Sequence, residues 1–235
     1  MAITLTYYGH AALGLDISGT HVLVDPFIGD NPTATADPAE VPADFILVSH
    51  GHVDHVGDTV DIAKRTGATV VTNLEMSNWF VSQGLERVHP QHIGGGYRHP
   101  FGYLKLTLAL HGSGLPDGSY GGNPCGFLLE TEEERLYLAC DTGLFGDMAL
   151  IGADGVDLAV LPIGDNFTMG PKDALRAVAM IKPRMVVPVH YNTWELIAQD
   201  AQAWKREVEA LSDTKVYPLS PGERLKIDQV HTQEI

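Results

Sequence analysis

Hydrophobic and polar residues alternate in short stretches over the first quarter of the chain, a pattern typical of β-strands with one buried face. The alternating stretches are residues 3–8, 12–17 and 21–25. Residues 45–48 instead form an unbroken apolar run that ends at Ser49, as expected of a strand buried on both faces. The chain is therefore predicted to begin with several strands of one sheet.

Helices with a 3.6-residue apolar period follow, and they are interleaved with further strands. The predicted helices cover residues 59–66, 74–83, about 172–181 and about 200–211. The further predicted strands are residues 69–72, 104–110, 126–131, 135–139, 158–161, 185–189 and 215–217. Because no repeat, linker or break in composition divides the chain, we predict one domain over residues 1–235. Apolar strands interleaved with helices favour a layered α/β fold.

Composition adds to this picture mainly by excluding classes of protein. With 44% hydrophobic and 19% charged residues, the 235-residue chain is predicted to be globular rather than disordered. No apolar run reaches the roughly 20 residues of a membrane span, and no export signal is visible at the N-terminus, so we expect a cytoplasmic protein. The formal net charge of −15 opposes binding to nucleic acid and to anionic membranes.

The segment Ser49-His50-Gly51-His52-Val53-Asp54-His55 carries four metal-binding side chains directly after a predicted strand. Neutral imidazoles and ionised carboxylates are the forms of these side chains that bind metals. In an extended segment His50 and His52 point the same way, whereas Asp54 and His55 follow where the chain turns and can face a second metal. The alternative is a polar turn with fortuitous histidines, but nothing structural requires three histidines there. The motif therefore predicts a metal site.

Three further candidate ligands follow predicted strands elsewhere in the chain. They are His111, Asp141 and His190. Taken alone, each is as readily interpreted as a capping or surface residue. Polar residues at the ends of several strands can converge on one edge of a sheet, and the shared pattern is therefore stronger evidence than any single residue. We expect these three side chains to join the histidine motif in a two-metal site.

These residues resemble the signature of the metallo-β-lactamase superfamily, in which His-x-His-x-Asp-His is followed by His, Asp and His at strand ends. The similarity extends along the chain, and the matching segments are residues 1–26, 49–58, 121–126, 141–147, 162–171 and 190–193. The chain looks like the small bacterial and archaeal proteins known as metal-dependent hydrolases, which are similar to the L-ascorbate-6-phosphate lactonase branch. The resemblance implies a four-layered αββα sandwich with the site at the edge between two β-sheets.

The resemblance also implies a ligand set and a cofactor. The implied ligands are His50, His52 and His111 for one metal, Asp54, His55 and His190 for the other, and Asp141 as the bridge between them. Mixed nitrogen and oxygen ligation suits two divalent ions, of which Zn²⁺ is preferred and Mn²⁺, Ni²⁺ or Fe are also compatible. His52 stands where the oxygen-reducing di-iron relatives carry Glu, which favours hydrolysis over redox chemistry.

The implied activity is metal-dependent hydrolysis of a small ester, lactone, thioester or phosphodiester. The predicted nucleophile is a hydroxide bridging the two metals, and Asp54 is the candidate catalytic residue that orients it or transfers its proton. One alternative is a nuclease or phosphodiesterase of the same superfamily, which needs a basic groove or an RNA-binding arm that this acidic chain does not show. The other is a metal-binding protein without turnover, against which the complete ligand set argues.

Residues near the predicted strand ends are the candidate substrate contacts. They are His10, Asp165, Asn166, Thr168 and Asn192. His10 is equally consistent with a histidine in a turn. The expected partner is therefore a small-molecule substrate, with no nucleic acid and no membrane, and assembly into a homo-oligomer stays open.

Asp25, Cys140 and three other histidines have more than one interpretation. Asp25, at the end of a strand, either accepts a hydrogen bond from a ligand histidine or caps the following loop. Cys140 stands where the family usually has Gly before the bridging Asp. On an extended segment it faces away from Asp141, so we predict a small buried residue, like Cys125, rather than a ligand. Three histidines with poor ligand spacing are interpreted as surface loop residues: His89, His92 and His99.

Overall fold

The computed structural model describes residues 3–227, which form two seven-stranded β-sheets and six α-helices. The strands are β1 (Ile3–Gly9), β2 (Ala12–Ile17), β3 (Thr20–Val24), β4 (Phe45–Leu47), β5 (Thr69–Thr72), β6 (Val88–Pro90), β7 (Gly96–His99), β8 (Gly102–Leu108), β9 (Cys125–Glu130), β10 (Arg135–Leu138), β11 (Leu158–Pro162), β12 (Met185–Val189), β13 (Lys215–Val216) and β14 (Arg224–Ile227). The helices are α1 (Val53–Val56), α2 (Thr59–Thr66), α3 (Leu74–Ser82), α4 (Met148–Gly152), α5 (Pro171–Ile181) and α6 (Ala201–Leu211).

Each sheet is antiparallel in one half and parallel in the other. The first sheet has the order β14-β1-β2-β3-β4-β5-β6 and becomes parallel from β3 onwards. The second has the order β13-β12-β11-β10-β9-β8-β7 and is parallel from β10 to β13. All six helices lie in connections between neighbouring parallel strands, because such strands need a crossover to run in the same direction.

Three separate cores of buried side chains show that four layers are stacked. Leu47 of the first sheet and Val160 of the second lie in the core between the sheets. Ile46, the neighbour of Leu47, points the other way and packs in the core that includes Phe80 of α3. The outer face of the second sheet packs against α5 and α6, where Trp204 is 2% exposed. Strand β4 is thus buried on both faces, and the predicted αββα sandwich is confirmed.

Five short elements were not predicted from the sequence. They are β6, β7, β14, α1 and α4, each of three to five residues. Segments this short contain too few residues to show a period, and they are stabilised by tertiary contacts, as when β14 pairs with β1 at the edge of the first sheet. The predicted strand 104–110 is shifted to Gly102–Leu108, so the chain leaves the sheet three residues before His111.

The interpretation of the three spaced histidines as surface loop residues is wrong for two of them. His89 lies in β6 and His99 in β7, whereas His92 is in a loop and exposed. The imidazole of His99 is 6% exposed, stacks on Phe101 with an interplanar angle of 1°, and its Nε2 lies 3.1 Å from Gln91 Oε1. Pairing of β7 with β8 turns this ring inward, which the spacing of histidines along the chain does not reveal.

His99 is expected to make the protein less stable as the pH falls. Burial, helped by His89, lowers the pKa of His99 to about 4 in the folded protein. An unfolded histidine binds a proton near pH 6.5, so between these values the unfolded state holds more protons and stability rises with pH. As the pH is lowered across this window, the unfolding free energy of His99→Gln should fall less than that of the unaltered protein. We expect the difference to be about 1–2 kcal/mol, after allowing for partial contact of the His99 ring with solvent. Urea denaturation near pH 4.5 and 7 measures the unfolding free energy of both proteins. An equal decrease in the two proteins between these pH values would contradict the role of His99.

No helix within residues 3–227 is long and apolar enough to cross a membrane. The longest, α5 and α6, have 11 residues each, whereas a span needs roughly 20.

Cys125 and Cys140 are both buried and free, as predicted. The organisation of residues 1–235 as one domain stays a prediction.

Candidate metal centre

Strand direction brings the candidate ligands to one edge of the sandwich. Strands β1, β3 and β4 run the same way in the first sheet, and β8, β10 and β12 do so in the second. The residues that follow these six strands are His10, Asp25, the His50–His55 segment, His111, Asp141 and His190. The backbone N–H of His190 donates to the carbonyl oxygen of His10 at 2.8 Å, which joins the two sheets at this edge.

His50, His52 and His111 form the first group of close donor atoms. His52 Nδ1 lies 3.0 Å from His50 Nε2 and 3.2 Å from His111 Nε2. Burial lowers the pKa of all three imidazoles, and that of the fully buried His50 falls well below its ordinary value. The three rings are therefore neutral near pH 7, which is the form that binds a metal.

Asp141 lies between this group and a second one. Its Oδ2 is 3.0 Å from His190 Nε2, 3.3 Å from His55 Nε2 and 3.5 Å from His111 Nε2. Asp54 Oδ2 approaches the second group at 3.8 Å from His55 Nε2 and 3.9 Å from His190 Nε2. Asp141 thus contacts histidines of both groups, which is the arrangement that a carboxylate shared between two cations requires.

The arrangement of these donors fits divalent cations. Ligand atoms lie within 4.8 Å of one another in three overlapping sets, which are His50/His52/His111, His10/Asp54/His55/His190 and His50/His55/Asp141. Asp141 Oδ1 is buried without a hydrogen-bond partner among residues 3–227, an unfavourable state that a bound cation relieves. Imidazole nitrogens combined with carboxylate oxygens are ligands that Zn²⁺, Mn²⁺, Ni²⁺ and Fe all accept.

The charges in the second group support metal binding at neutral pH. Burial would raise the pKa of Asp141, but His55 and His190 outweigh it and keep the carboxyl pKa well below its usual range. For Asp54 the hydrogen bond from His10 and the charge of His55 likewise outweigh burial, so its pKa is lowered. Burial would lower the pKa of His55, yet Asp141 and Asp25 raise it well above its ordinary value. Both carboxylates are therefore ionised, which is the form in which a carboxylate binds a metal.

Asp25 orients the motif from its buried side. Its Oδ2 accepts hydrogen bonds from His55 Nδ1 at 2.9 Å and Ser49 Oγ at 2.6 Å, and its Oδ1 accepts one from the Ser49 N–H at 2.8 Å. The bond to Nδ1 leaves His55 Nε2 facing Asp141. Of the two interpretations of Asp25 that the sequence leaves open, the structure shows the hydrogen bond with a histidine of the motif.

Removal of the Asp25 charge is expected to weaken metal binding without abolishing it. Asp25→Asn loses one acceptor oxygen and the charge that favours the correct orientation of His55, and outer-sphere changes of this kind cost roughly 10–100-fold in metal affinity. Competition with a chelating dye measures the affinity, and Asp30→Asn, an exposed position in the following loop, is the control. An affinity for Asp25→Asn equal to that of the control would refute the orienting role.

Several residues at this edge have the left-handed backbone conformation that side chains other than Gly seldom adopt. The φ angles are 55° at His10, 42° at Asp25, 53° at Cys140 and 55° at His190. Such conformations cost about 1–3 kcal/mol each and concentrate at functional sites. Here they turn the chain sharply as it leaves a strand.

Cys140 has this left-handed conformation at a position where the family usually has glycine. Glycine adopts a φ of this sign without steric cost, which accounts for Gly at this position in the family. The extended geometry on which we based the prediction for residues 140–141 is therefore wrong. The predicted burial is nevertheless found, because Cys140 is 7% exposed and its Sγ lies 3.7 Å from the carbonyl oxygen of Leu138. Among residues 3–227, Cys140 belongs to none of the three sets of close ligand atoms.

His10 does not lie at the mouth of the site, where the sequence analysis expected it. The ring is fully buried, with Nε2 at 3.0 Å from Asp54 Oδ2 and Nδ1 at 2.8 Å from Thr193 Oγ1. Because the ionised Asp54 only accepts hydrogen bonds, His10 Nε2 donates to it and Nδ1 accepts from the Thr193 hydroxyl. His10 thus orients Asp54 from behind, which corrects its placement as a substrate contact.

The other four predicted substrate residues lie in two loops beside the site and do not line its cavity. They are Asp165, Asn166, Thr168 and Asn192. Asp165 Oδ1 accepts from the Asn166 N–H at 2.9 Å, and Asn192 Oδ1 accepts from the Gln199 N–H at 2.8 Å. The side chains of Asp165 and Asn192 thus stabilise the loops, and substrate contact by the four residues stays a prediction.

A cavity of about 440 Å³ opens above the candidate ligands, and apolar side chains form its walls. The wall residues are Phe27, Val53, Phe167, Trp194 and Leu196. None of these five residues was predicted from the sequence, because apolar residues carry no metal-binding or proton-transfer chemistry. The available signal was the placement of large apolar side chains, Phe167 and Trp194, inside otherwise polar loops that follow strands.

Two stacked mixed sheets with a histidine and aspartate cluster at their shared edge define a four-layered αββα protein with a candidate metal site. A UPF0173 metal-dependent hydrolase from Desulforamulus reducens is 51% identical over 230 residues, covering 95% of this chain and 99% of the relative. A relative of the same description from Thermus thermophilus is 45% identical over 226 residues and covers 96% of this chain and 100% of the relative.

Comparison with solved structures and with a family model gives the same result. Igni18, a metallo hydrolase from the archaeon Ignicoccus hospitalis, superimposes with a TM-score of 0.89 at 32% identity, covering 97% of this chain and 99% of that one. The family model described as a beta-lactamase superfamily domain matches residues 20–191. The chain therefore belongs to the metallo-β-lactamase superfamily, and it is a metal-dependent hydrolase.

Proposed function

We propose that this protein binds two divalent metal ions and hydrolyses a small ester, lactone, thioester or phosphodiester. The observation that supports this most directly is the position of Asp141 Oδ2 within 3.5 Å of His55, His111 and His190. A single carboxylate in contact with two groups of imidazoles suits a shared ligand. When bound, two such ions supply a water of lowered pKa and stabilise negative charge that develops on the substrate.

The side chains divide into two sets of metal ligands in this proposal. The first ion takes His50, His52 and His111, the second takes Asp54, His55 and His190, and Asp141 is shared. Zn²⁺ is the preferred ion, with Mn²⁺, Ni²⁺ or Fe as alternatives compatible with the same donors. The neutral state of His50, His52 and His111 suits this assignment, since a protonated imidazole has no lone pair to donate.

Asp54 is the residue that we assign to proton transfer during catalysis. Its side chain is 20% exposed and lines the cavity, whereas that of Asp141 is 3% exposed. A hydrogen bond from His10 fixes the orientation of Oδ2 and leaves Oδ1 for a proton from the attacking water. Asp54 can then return the proton to the leaving group.

The proposal extends to location and partners. A cytoplasmic protein suits the two free, buried cysteines, because reducing compartments preserve thiols. The formal charge of −15 argues against nucleic acid and anionic membranes as partners, which leaves a small molecule as the substrate. Association into a homo-oligomer is compatible with the structure.

Metal content tests the proposal directly. Protein purified without added metal is expected to hold about two equivalents of metal by elemental mass spectrometry, and His50→Ala to hold about one or fewer. His92→Ala, which replaces an exposed histidine outside the site, is the control and should match the unaltered protein. Protein that holds no metal and takes up none from Zn²⁺ or Mn²⁺ solutions would exclude the dinuclear proposal.

A further inference from the structure

The walls of the cavity above the candidate ligands differ from the rest of the surface. Four large apolar side chains remain solvent-exposed on its rim: Val53 at 63%, Phe167 at 52%, Trp194 at 40% and Leu196 at 70%. They come from three separate segments, namely α1, the loop after β11 and the loop after β12. Apolar side chains from separate segments that gather around one opening mark a binding surface.

The aromatic part of this wall is held in place from below. The Trp194 ring meets the buried His10 ring edge-on at a centroid distance of 4.9 Å and lies 6.3 Å from the Phe27 ring. Phe27 in turn contacts His10 at 5.8 Å. Rings fixed by such contacts lose little additional freedom when a ligand binds, so this wall is prepared for an apolar group.

Histidines are the only basic side chains that line the cavity within residues 3–227. No Lys or Arg is among the lining residues in the described part of the chain, and the polar members are the candidate ligands themselves, His52, Asp54, His111, Asp141 and His190. A phosphate or carboxylate on the part of the substrate beyond the metals would therefore lose its hydration without gaining an ion pair.

We infer that the protein selects uncharged substrates in which a hydrolysable acyl group carries an apolar substituent of about five to eight carbons. The inference rests on the proposed hydrolytic function and adds its substrate class. During hydrolysis the water oxygen bonds to the acyl carbon and the acyl C–O bond breaks. One water proton passes to the leaving oxygen, and the other is released as the acid ionises. A cavity of about 440 Å³ is within the range of small-molecule sites.

This substrate class differs from L-ascorbate-6-phosphate, the phosphorylated lactone after which the similar lactonase branch is named. A sugar phosphate needs hydrogen-bond donors and cations around its hydroxyl and phosphate groups. The described rim provides Val53, Phe167, Trp194 and Leu196 instead. The apolar wall is therefore the feature that separates the two substrate classes.

A matched series of lactones tests the inference on the metal-loaded protein. We expect kcat/KM for γ-nonalactone to exceed that for γ-butyrolactone by at least about 30-fold, since each buried methylene contributes strongly to discrimination. The lactone of the same chain length that ends in a carboxylate should be at least about tenfold poorer than γ-nonalactone. Leu196→Ala and Phe167→Ala should each reduce the first ratio about 3–10-fold. Leu150→Ala, at a 71% exposed position on α4, should leave it unchanged.

A charge inserted into the wall provides the converse test. Leu196 is 70% exposed, so Leu196→Lys is expected to fold, and it should raise kcat/KM for the carboxylate lactone relative to γ-nonalactone by about tenfold. Preference of the unaltered protein for the carboxylate lactone or for a sugar phosphate would overturn the inference and leave the hydrolytic proposal intact. A change from dimer to monomer in Leu196→Ala, seen by light scattering, would assign the rim to an interface and also overturn it.

A binding measurement that needs no turnover tests this inference independently of the proposed hydrolytic function. If the metal-loaded protein hydrolyses no lactone, ester, thioester or phosphodiester, the hydrolytic proposal fails. Saturation-transfer NMR with phenylacetamide, an uncharged amide, then decides the inference. Transfer that is lost in Leu196→Lys but kept in Leu150→Ala supports an apolar ligand at this wall. Absence of transfer in the unaltered protein overturns it.

Discussion

Asp141→Ala is expected to lose bound metal and at least about 100-fold in turnover. Asp141 Oδ2 contacts His55, His111 and His190 within 3.5 Å, so the substitution removes the one carboxylate common to both groups of imidazoles. Loss of an outer-sphere partner alone costs roughly 10–100-fold, which sets the lower bound for loss of a shared ligand. The substitution also leaves His55 with Asp25 at 2.9 Å and Asp54 at 3.8 Å as its remaining carboxylate neighbours.

Elemental mass spectrometry and a lactonase or esterase assay measure the two effects on the same preparation. Asp147→Ala is the matched control, because Asp147 is exposed in the same connection after β10 and caps α4 without a side-chain hydrogen bond. Circular dichroism at neutral pH establishes that both variants are folded. Full metal content in folded Asp141→Ala would exclude a shared carboxylate, and normal turnover would exclude the centre as the catalytic site.

Asp54→Asn is expected to reduce turnover by about 10²–10⁴-fold while losing less metal than Asp141→Ala. Asn keeps the shape of the side chain and an oxygen that accepts from His10 Nε2, but it cannot take up a proton at neutral pH. Asp54 Oδ2 is 3.8 Å from His55 Nε2 and 3.9 Å from His190 Nε2, farther than Asp141 Oδ2 is from the same two atoms, so its loss should affect metal affinity less. The effect should therefore fall on kcat more than on KM.

Steady-state kinetics on samples of matched metal content distinguish the two contributions of Asp54. Asp61→Asn, on the exposed face of α2, is the control. His10→Gln provides a graded comparison, because it weakens the hydrogen bond that orients Asp54 and should lower kcat by less than Asp54→Asn does. If Asp54→Asn keeps both metals and full activity, Asp54 has no part in proton transfer.

Much of the fold was predictable because its signals are local. The apolar run at 45–48 correctly predicted a strand buried on both faces, and the periods at 59–66 and 172–181 predicted helices that begin within one residue of their observed starts. Short edge strands such as β7 were missed because pairing with β8, rather than their own period, stabilises them. The inward position of His99 follows from that pairing.

The sequence predicted the candidate ligand residues of the metal centre but not the residues that pack around them. The His50–His55 motif is contiguous, and metals bind only particular types of side chain. The candidate ligands can therefore be recognised from the sequence. Roles that depend on neighbours were misassigned, as for His10, which contacts Asp54 and Thr193 from a buried position. Asp165 and Asn192 were selected for their polarity, yet the apolar Phe167 and Trp194 line the cavity.

The sequence by itself therefore determined the superfamily, the αββα architecture and the types of side chain available to bind metal. The superfamily and the αββα architecture follow from the resemblance of motifs spread along the chain, whereas the layered α/β class follows from patterns within single elements. Only the tertiary structure decided which strand ends meet, how Asp141 comes to contact both groups of histidines, and what surrounds the cavity. Those features arise where two sheets are stacked, and contacts between residues far apart in the chain have no local signature.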